Sequence, residues 1–160
     1  DLSRIDLSGV DFSAAGLAGV RLSGARLRGC TLAMCDLAGA NLSGANLAEA
    51  DLRGVNLSDA DLSQANLRKA NIGVLVIQDR NGKRTGQAAP ANLSKADVTG
   101  AVVTDATRSG AKVTGALFLS AKLVRADLRG CDINAADTAG AALEGAKTGS
   151  PEQIPEPATA

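Results

Sequence analysis

A period of five residues runs through almost the whole chain and constrains its fold more than any other feature. From Leu2 to Ile77, a large apolar residue recurs at every fifth position without a miss. A small or slim residue, such as Ala25, Cys30 or Ala45, stands two positions earlier. Helices repeat every 3.6 residues and strands every 2, so neither gathers these residues on one face. A chain that turns a corner every five residues does, which predicts a solenoid.

The period breaks at residues 80–90, RNGKRTGQAAP, and then resumes. Small residues recur from Ala91 to Ala146, and large ones follow them by two positions. The large position is exceptionally held by Arg108, Thr138 and Thr148. Because a buried, unpaired guanidinium is very costly, we expect the side that carries Arg108 to distort and expose it.

The repeated motif A-[DN]-L-x-x, seen in residues 40–44 and 60–64, resembles the pentapeptide repeat family. The resemblance implies an all-β fold, a right-handed quadrilateral β-helix (a β-solenoid) with four pentapeptides per coil. Sixteen pentapeptides before the break and twelve after it would form about seven coils, a rod roughly 34 Å long. We therefore predict one solenoid domain over residues 1–150, with coils at 1–79 and 91–150 and a loop insertion at 80–90. Residues 151–160, which are rich in Pro, are expected to form a tail or linker.

The insertion is predicted to be a short hairpin with a basic tip. Asn81-Gly82 favours a two-residue turn because both residues can adopt positive φ. Arg80, Lys83 and Arg84 surround this turn. A loop on a rigid scaffold often carries function, but a surface insertion is also easily tolerated. The sequence leaves both interpretations open.

Apolar residues at positions that should face solvent cluster near the insertion. They are Val74, Val76, Val102, Leu117, Leu119 and Val124. If the insertion preserves the phase of the coils, Arg108 stacks over Ile77, and Val74, Val102 and Val124 line up on one face. An outward apolar strip beside a basic loop is a candidate protein-binding surface, unless the loop or a neighbouring domain covers it. The candidate residues are Arg80, Asn81, Lys83, Arg84, Val74, Val76, Val102 and Val124.

The composition argues against catalysis and against several classes of ligand. The chain has no His, which removes the commonest general base, and no enzyme is expected. Cys30, Cys35 and Cys131 occupy the small inward position, so we expect structural thiols and neither a metal nor a cofactor. A net charge of zero gives no electrostatic pull toward nucleic acid. No run of about 18 apolar residues exists to cross a membrane.

These observations predict a non-catalytic, cytoplasmic scaffold domain of a bacterial protein, which presents one face and the loop to an unidentified protein partner. No small-molecule substrate is expected. The resemblance also implies an alternative, since some family members mimic DNA, bind gyrase and confer quinolone resistance. Mimicry needs a strongly acidic surface, but residues 1–79 carry nine acids against seven bases, and residues 91–150 six against seven. A spacer without a partner is a third possibility. The sequence shows no C-terminal amphipathic helix, so the helix-mediated dimer of some family members is not expected.

Overall fold

The chain winds into a β-helix in a computed structural model that describes residues 1–103, 106 and 110–149. Parallel β-bridges join residues twenty apart in the sequence, such as Asp36 to Asn56 and Asn41 to Asp61. Twenty residues are four pentapeptides, so each coil has four five-residue sides. The expected all-β solenoid is thereby confirmed.

Each side of the rod is a column of pentapeptides stacked from coil to coil, and the bridged residues identify it. These residues stand directly before the large residue of each pentapeptide. Side 1 carries Asn41, Asp61, Asp97 and Leu117; side 2 carries Asn46, Asn66, Val102 and Lys122; side 3 carries Thr31, Asp51 and Asn71; side 4 carries Asp36, Asn56, Asn92 and Lys112.

The core is a narrow aliphatic column inside the coils. The large residues from Leu22 to Ile72 are at most 1% exposed, and Phe118 is fully buried. The small residues between them, including Cys30 and Cys35, are equally buried. Burying one such large side chain stabilises the fold by about 1.5–3 kcal/mol. The predicted inward positions are thus confirmed for the middle coils, whereas those of the end coils are half-buried or, at Ile5, Val10 and Leu143, exposed.

All five backbone N–H groups of a regular pentapeptide have an acceptor. In residues 41–45, Leu42 and Gly44 donate to the following coil, Asn41 donates to the preceding coil, and Ala45 donates to the Leu42 carbonyl within the corner turn. The remaining N–H, that of Ser43, donates to Asn41 Oδ1 at 3.0 Å. This explains why Asp or Asn often stands before the Leu, because its side chain accepts the one N–H that the neighbouring coils leave unused.

Most corners of the described rod place one residue in the left-handed region of backbone space. Gly44 has φ 64°, but Met34 and Glu49 adopt nearly the same value, 60° and 62°. Glycine is therefore frequent at this position without being required. A glycine there that also has close neighbours reports on packing rather than on the turn alone.

The break contains the two regular strands of the described chain, β1 (Val74–Gln78) and β2 (Arg84–Pro90), which pair as an antiparallel hairpin. A 3₁₀ turn, η1, follows near the end of the rod at Ile133–Ala135. Across the hairpin, Asn56 pairs with Asn92, a separation of 36 residues. This separation is one coil of 20 plus 16 residues, so the hairpin inserts residues 75–90.

The predicted boundary at 79/80 is therefore wrong, and Ile77 belongs to the hairpin rather than to the core. Leu93 continues the column of Leu57 on side 4. Leu75 offers a physical reason, since it would occupy a small corner position where Ala is usual and would overpack it. Removing residues 75–90 on paper joins Val74 to Ala91 and leaves the five-residue period unbroken. Arg108 and the tail at 151–160 lie outside the described residues.

Candidate protein-binding site

The base of the hairpin is apolar and half-exposed. Val74, Leu75, Val76 and Ile77 are all partly accessible. They face a strand of small residues, with Leu75 opposite Ala89 and Val76 opposite Ala88, and the register shifts between Val76 and Gln78. The hairpin thus presents aliphatic surface that the rod does not bury.

The turn differs from the predicted two-residue Asn-Gly turn. Gly82 N–H donates to the Asp79 carbonyl at 2.9 Å, so Arg80 and Asn81 occupy the centre of the turn. Among residues 79–83, only Gly82 has positive φ, 77°. The Asp79 carboxylate accepts the N–H groups of Asn81 and Lys83 at 2.8 and 3.0 Å. This local cap favours a turn over residues 79–82, in which Arg80 and Asn81 are central and Gly82 is left-handed, over the predicted turn with Asn81 and Gly82 at its centre.

The tip of the hairpin carries uncompensated positive charge. Arg80, Asn81, Lys83 and Arg84 are all exposed, as predicted. Within the described residues, none of the three cations forms an ion pair, and the neighbouring Asp79 carboxylate is engaged by backbone N–H groups. The tip therefore offers a small cationic surface to an acidic ligand.

Two glycines fit the hairpin against the rod. A Cβ at Gly54 would lie 3.3 Å from both Cβ and O of Ala89 in β2, and 2.8 Å from Met34 Sδ. A Cβ at Gly110 would lie 2.8 Å from Val74 Cγ2. The base of the hairpin therefore packs against corners of the coils on both sides of it. Sequence reasoning missed this contact, because glycine is common at corners with no neighbour at all.

The predicted apolar strip does not form as expected. Val74 and Val76 belong to the hairpin, which leaves the rod at the corner after side 3. Val102 lies on side 2, stacked on Lys122, and Val124 lies two residues beyond Lys122 on the same side. The alignment of Val74 with Val102 and Val124 is therefore wrong, since the insertion is 16 residues long and not 11. Val102 and Val124 share side 2, and both are half-buried.

Two backbone N–H groups on sides 1 and 2 lack a side-chain acceptor in the coils that follow the hairpin. Leu117 and Lys122 stand where Asp or Asn would accept the N–H of Leu119 and of Val124. In the part of the chain that the structure describes, neither N–H has another acceptor. Leu117 is also 39% exposed. The absence of Asp and Asn at these positions was a readable signal that the sequence analysis did not use.

The cysteines sit where small apolar residues are expected. Burial raises the pKa of the Cys35 thiol to about 11. Burial also raises the pKa of Cys30, whose thiol donates to the Leu7 carbonyl at 2.9 Å. Cys131, near the end of the described rod, is half-buried. Both buried thiols are therefore protonated at neutral pH and poorly nucleophilic.

Acidic residues do not form a continuous column along these sides of the rod. On side 1, Asp61 and Asp97 are followed by Leu117, and on side 4, Asp36 is followed by Asn56. The guanidinium of Arg53 also neutralises Asp51, with Arg53 Nη2 2.6 Å from Asp51 Oδ2.

No group of three potential metal ligands converges within the described ranges. In the same part of the chain, no helical segment has the length and apolar character needed to span a bilayer.

Comparison with known proteins agrees with this geometry. The family Pentapeptide repeats matches residues 1–33 and 35–72 with eight copies. A pentapeptide repeat protein from the thylakoid lumen of Arabidopsis thaliana is 28% identical, with a TM-score of 0.58 over 69% of this chain and 66% of that one. HetL from Nostoc sp. strain PCC 7120, involved in heterocyst differentiation regulation, is 27% identical, with a TM-score of 0.48 over 90% of this chain and 62% of HetL. This chain therefore spans less than two thirds of the length of the Arabidopsis protein and of HetL.

QnrB1, a plasmid-mediated fluoroquinolone resistance protein, is 19% identical, with a TM-score of 0.43 over 92% of this chain and 85% of QnrB1. No curated protein matches the sequence. The coil of four pentapeptides and the family match define a solenoid repeat protein. The repeat of residues 1–33 and 35–72 is that of the pentapeptide repeat family, whose members are generally non-catalytic scaffolds.

Proposed function

We propose that this protein is a scaffold that binds a protein partner through the hairpin of residues 74–90. The observation that carries the proposal is the hairpin itself, which combines half-exposed aliphatic residues with an exposed, unpaired cationic tip. The rod holds this hairpin at a defined place through Gly54 and Gly110. A rigid scaffold that presents a loop is a common arrangement for binding.

The two alternatives lack a comparable observation in their favour. A DNA mimic would need acids along the whole length of a side, whereas the two successive acids of side 1, Asp61 and Asp97, are followed by Leu117. A simple spacer would have no use for an apolar hairpin with a charged tip. Both alternatives are possible outcomes of the experiment described next.

The test is affinity capture with matched baits. One bait is the intact chain, and the other lacks residues 75–90, a deletion that keeps the period and the side-to-side register. Circular dichroism first establishes that both are folded. A partner retained by the intact chain and lost from the deletion variant supports the proposal. Identical partners with both baits, or none with either, overturn it, and a gyrase subunit retained by both baits would favour the DNA mimic.

A pair of point variants tests whether the placement of the hairpin matters. Gly54→Leu puts a side chain against Met34 and Ala89, whereas nothing lies within 4 Å of a Cβ at Gly44. Both glycines have φ near 65°, 67° and 64° respectively, so the backbone strain is matched. We expect capture to weaken with Gly54→Leu and to persist with the control Gly44→Leu.

A further inference from the structure

The hairpin has strand edges that no other strand occupies. β1 and β2 form a two-stranded sheet and pair only with each other within the described residues. Open edges readily accept another strand, and a two-stranded hairpin gains stability from a third. In β2, Gly86 has φ 78° and Pro90 lacks an N–H group, so its edge is irregular. β1 contains neither glycine nor proline, which makes its outer edge the better template.

The side chains of β1 suit a strand placed beside them. Four consecutive aliphatic residues, Val74 to Ile77, remain half-exposed although successive side chains point to opposite faces of the hairpin. The facing residues of β2 are small, with Ala88 opposite Val76 and Ala89 opposite Leu75. A neighbouring strand on the other side of β1 would cover aliphatic surface on both faces through cross-strand pairs.

The charge of the turn adds a second requirement on the partner. Arg80, Lys83 and Arg84 lie just beyond the end of β1 and are exposed without an ion pair in the described part of the chain. The Asp79 carboxylate already accepts two backbone N–H groups. If a partner strand lies alongside β1, one of the partner strand's ends lies next to these cations, where Asp or Glu is favoured.

We infer that β1 binds an extended peptide segment in which aliphatic or β-branched residues adjoin Asp or Glu at one end, and that this segment adds to the hairpin as a third strand. The inference rests on the proposed function and gives the chemistry of the partner. Backbone hydrogen bonds supply affinity in this mode, and side-chain contacts supply specificity. A protein segment fits better than a nucleic acid, because residues 74–90 contain no aromatic side chain for base stacking.

The test uses a displayed library of random twelve-residue peptides, selected in parallel on the intact chain and on the variant lacking residues 75–90. Peptides that depend on the hairpin should be enriched in Asp or Glu and in Val, Ile or Thr, and poor in Pro. One such peptide, synthesised and labelled, should bind the Arg80→Glu/Lys83→Glu/Arg84→Glu variant at least about tenfold more weakly. It should also slow amide hydrogen exchange in β1.

The matched control is Arg68→Glu/Lys69→Glu/Lys95→Glu. It makes the same change in charge at three exposed cations of the rod that form no ion pair among the described residues. Binding to this control should change by no more than about twofold. Equal weakening by both triple variants would show a non-specific charge effect and overturn the inference.

Three further outcomes would also overturn it: no hairpin-dependent peptide, hairpin-dependent peptides without acidic enrichment, or a random single-stranded oligonucleotide that binds the hairpin more tightly than any peptide. Each leaves the proposed function separately testable, because a folded partner captured through the hairpin does not have to supply a strand.

Discussion

The rod consists of two blocks that share one backbone architecture but follow the repeat motif to different degrees. In the upper block, residues 1–73, Leu or Ile fills nearly every large position and Asp or Asn usually precedes it. In the lower block, residues 91–149, Val and Phe join Leu, and Val102, Lys112, Leu117 and Lys122 replace Asp or Asn. The family match ends at residue 72, yet bridges between residues twenty apart continue to Asp127 and Lys147. The inward positions and coil-to-coil hydrogen bonds therefore suffice for the fold, and the Asp or Asn is auxiliary.

The largest expected effect comes from emptying the core of the lower block. Phe118 is its largest fully buried side chain. We expect Phe118→Ala to lower the free energy of unfolding by about 3–5 kcal/mol, and Leu47→Ala in the upper block by about 2–5 kcal/mol. Urea titration followed by circular dichroism measures both. A loss below about 1 kcal/mol for Phe118→Ala would mean that the lower block is not packed as described.

Two deletions test how the blocks are joined. Removing residues 75–90 keeps Asn92 on Asn56, so we expect a stability within about 1 kcal/mol of the parent. Removing residues 80–90 also keeps the period of five, but it retains one extra pentapeptide and turns the lower block by one side. Leu75 would then overpack a corner, at a cost of about 1–3 kcal/mol. Urea titration gives the stabilities, and a structure of each variant gives the column on which Asn92 stacks. Equal stability with Asn92 on side 4 in both would contradict the 16-residue insertion.

The variant Val98→Leu makes the core of the lower block more like that of the upper block, and we nevertheless expect it to lower the stability. Val98 and Phe118 stand one coil apart on side 1, where the upper block has Leu. Because Phe118 is larger than Leu, we expect Val98→Leu to cost about 1–3 kcal/mol through overpacking. The double variant with Phe118→Leu should recover part of that loss, and a double-mutant cycle of thermal or urea unfolding measures the coupling. Strict additivity would show that the two side chains do not compete for space.

The missing side-chain acceptors predict opposite signs in the two blocks. Asn56 Oδ1 accepts the N–H and hydroxyl of Ser58 at 3.3 and 2.9 Å, and Asn56→Ala should cost about 1 kcal/mol. Leu117→Asn would instead supply an acceptor to the Leu119 N–H and should gain up to about 1 kcal/mol. Thermal unfolding of both variants beside the parent measures the two effects. If Leu117→Asn lowered the stability, the packing contacts of the Leu117 side chain would contribute more to stability than the new hydrogen bond.

The repeat could be predicted from the sequence because two inward positions in five determine which residues are buried. The location of the basic tip was also readable from Arg80, Lys83 and Arg84. The register across the hairpin was not, because Ile77 continues the series of large residues and hides the misfit of Leu75 at the small position. Pairing of β1 with β2 shows that residues 75–79 leave the coil. The contact at Gly54 was hidden for a different reason, since glycine at a corner is ordinary until a neighbour approaches.

The smallest expected effect concerns an Asp–Arg pair that recurs in both blocks, Asp51 with Arg53 and Asp127 with Arg129. The Arg53 guanidinium lowers the pKa of Asp51, and Arg129 lowers that of Asp127, through hydrogen bonds within the same pentapeptide. A carboxyl with a lowered folded pKa adds stability above its unfolded pKa, near 4, which is lost as the pH falls through the folded value. We expect Asp51→Asn and Asp127→Asn each to remove less than about 1 kcal/mol at pH 6 and to flatten the decline in thermal stability below pH 4. Thermal scans from pH 6 to pH 2.5 measure this. If only one variant flattened the decline, the Asp–Arg pair would act differently in the two blocks.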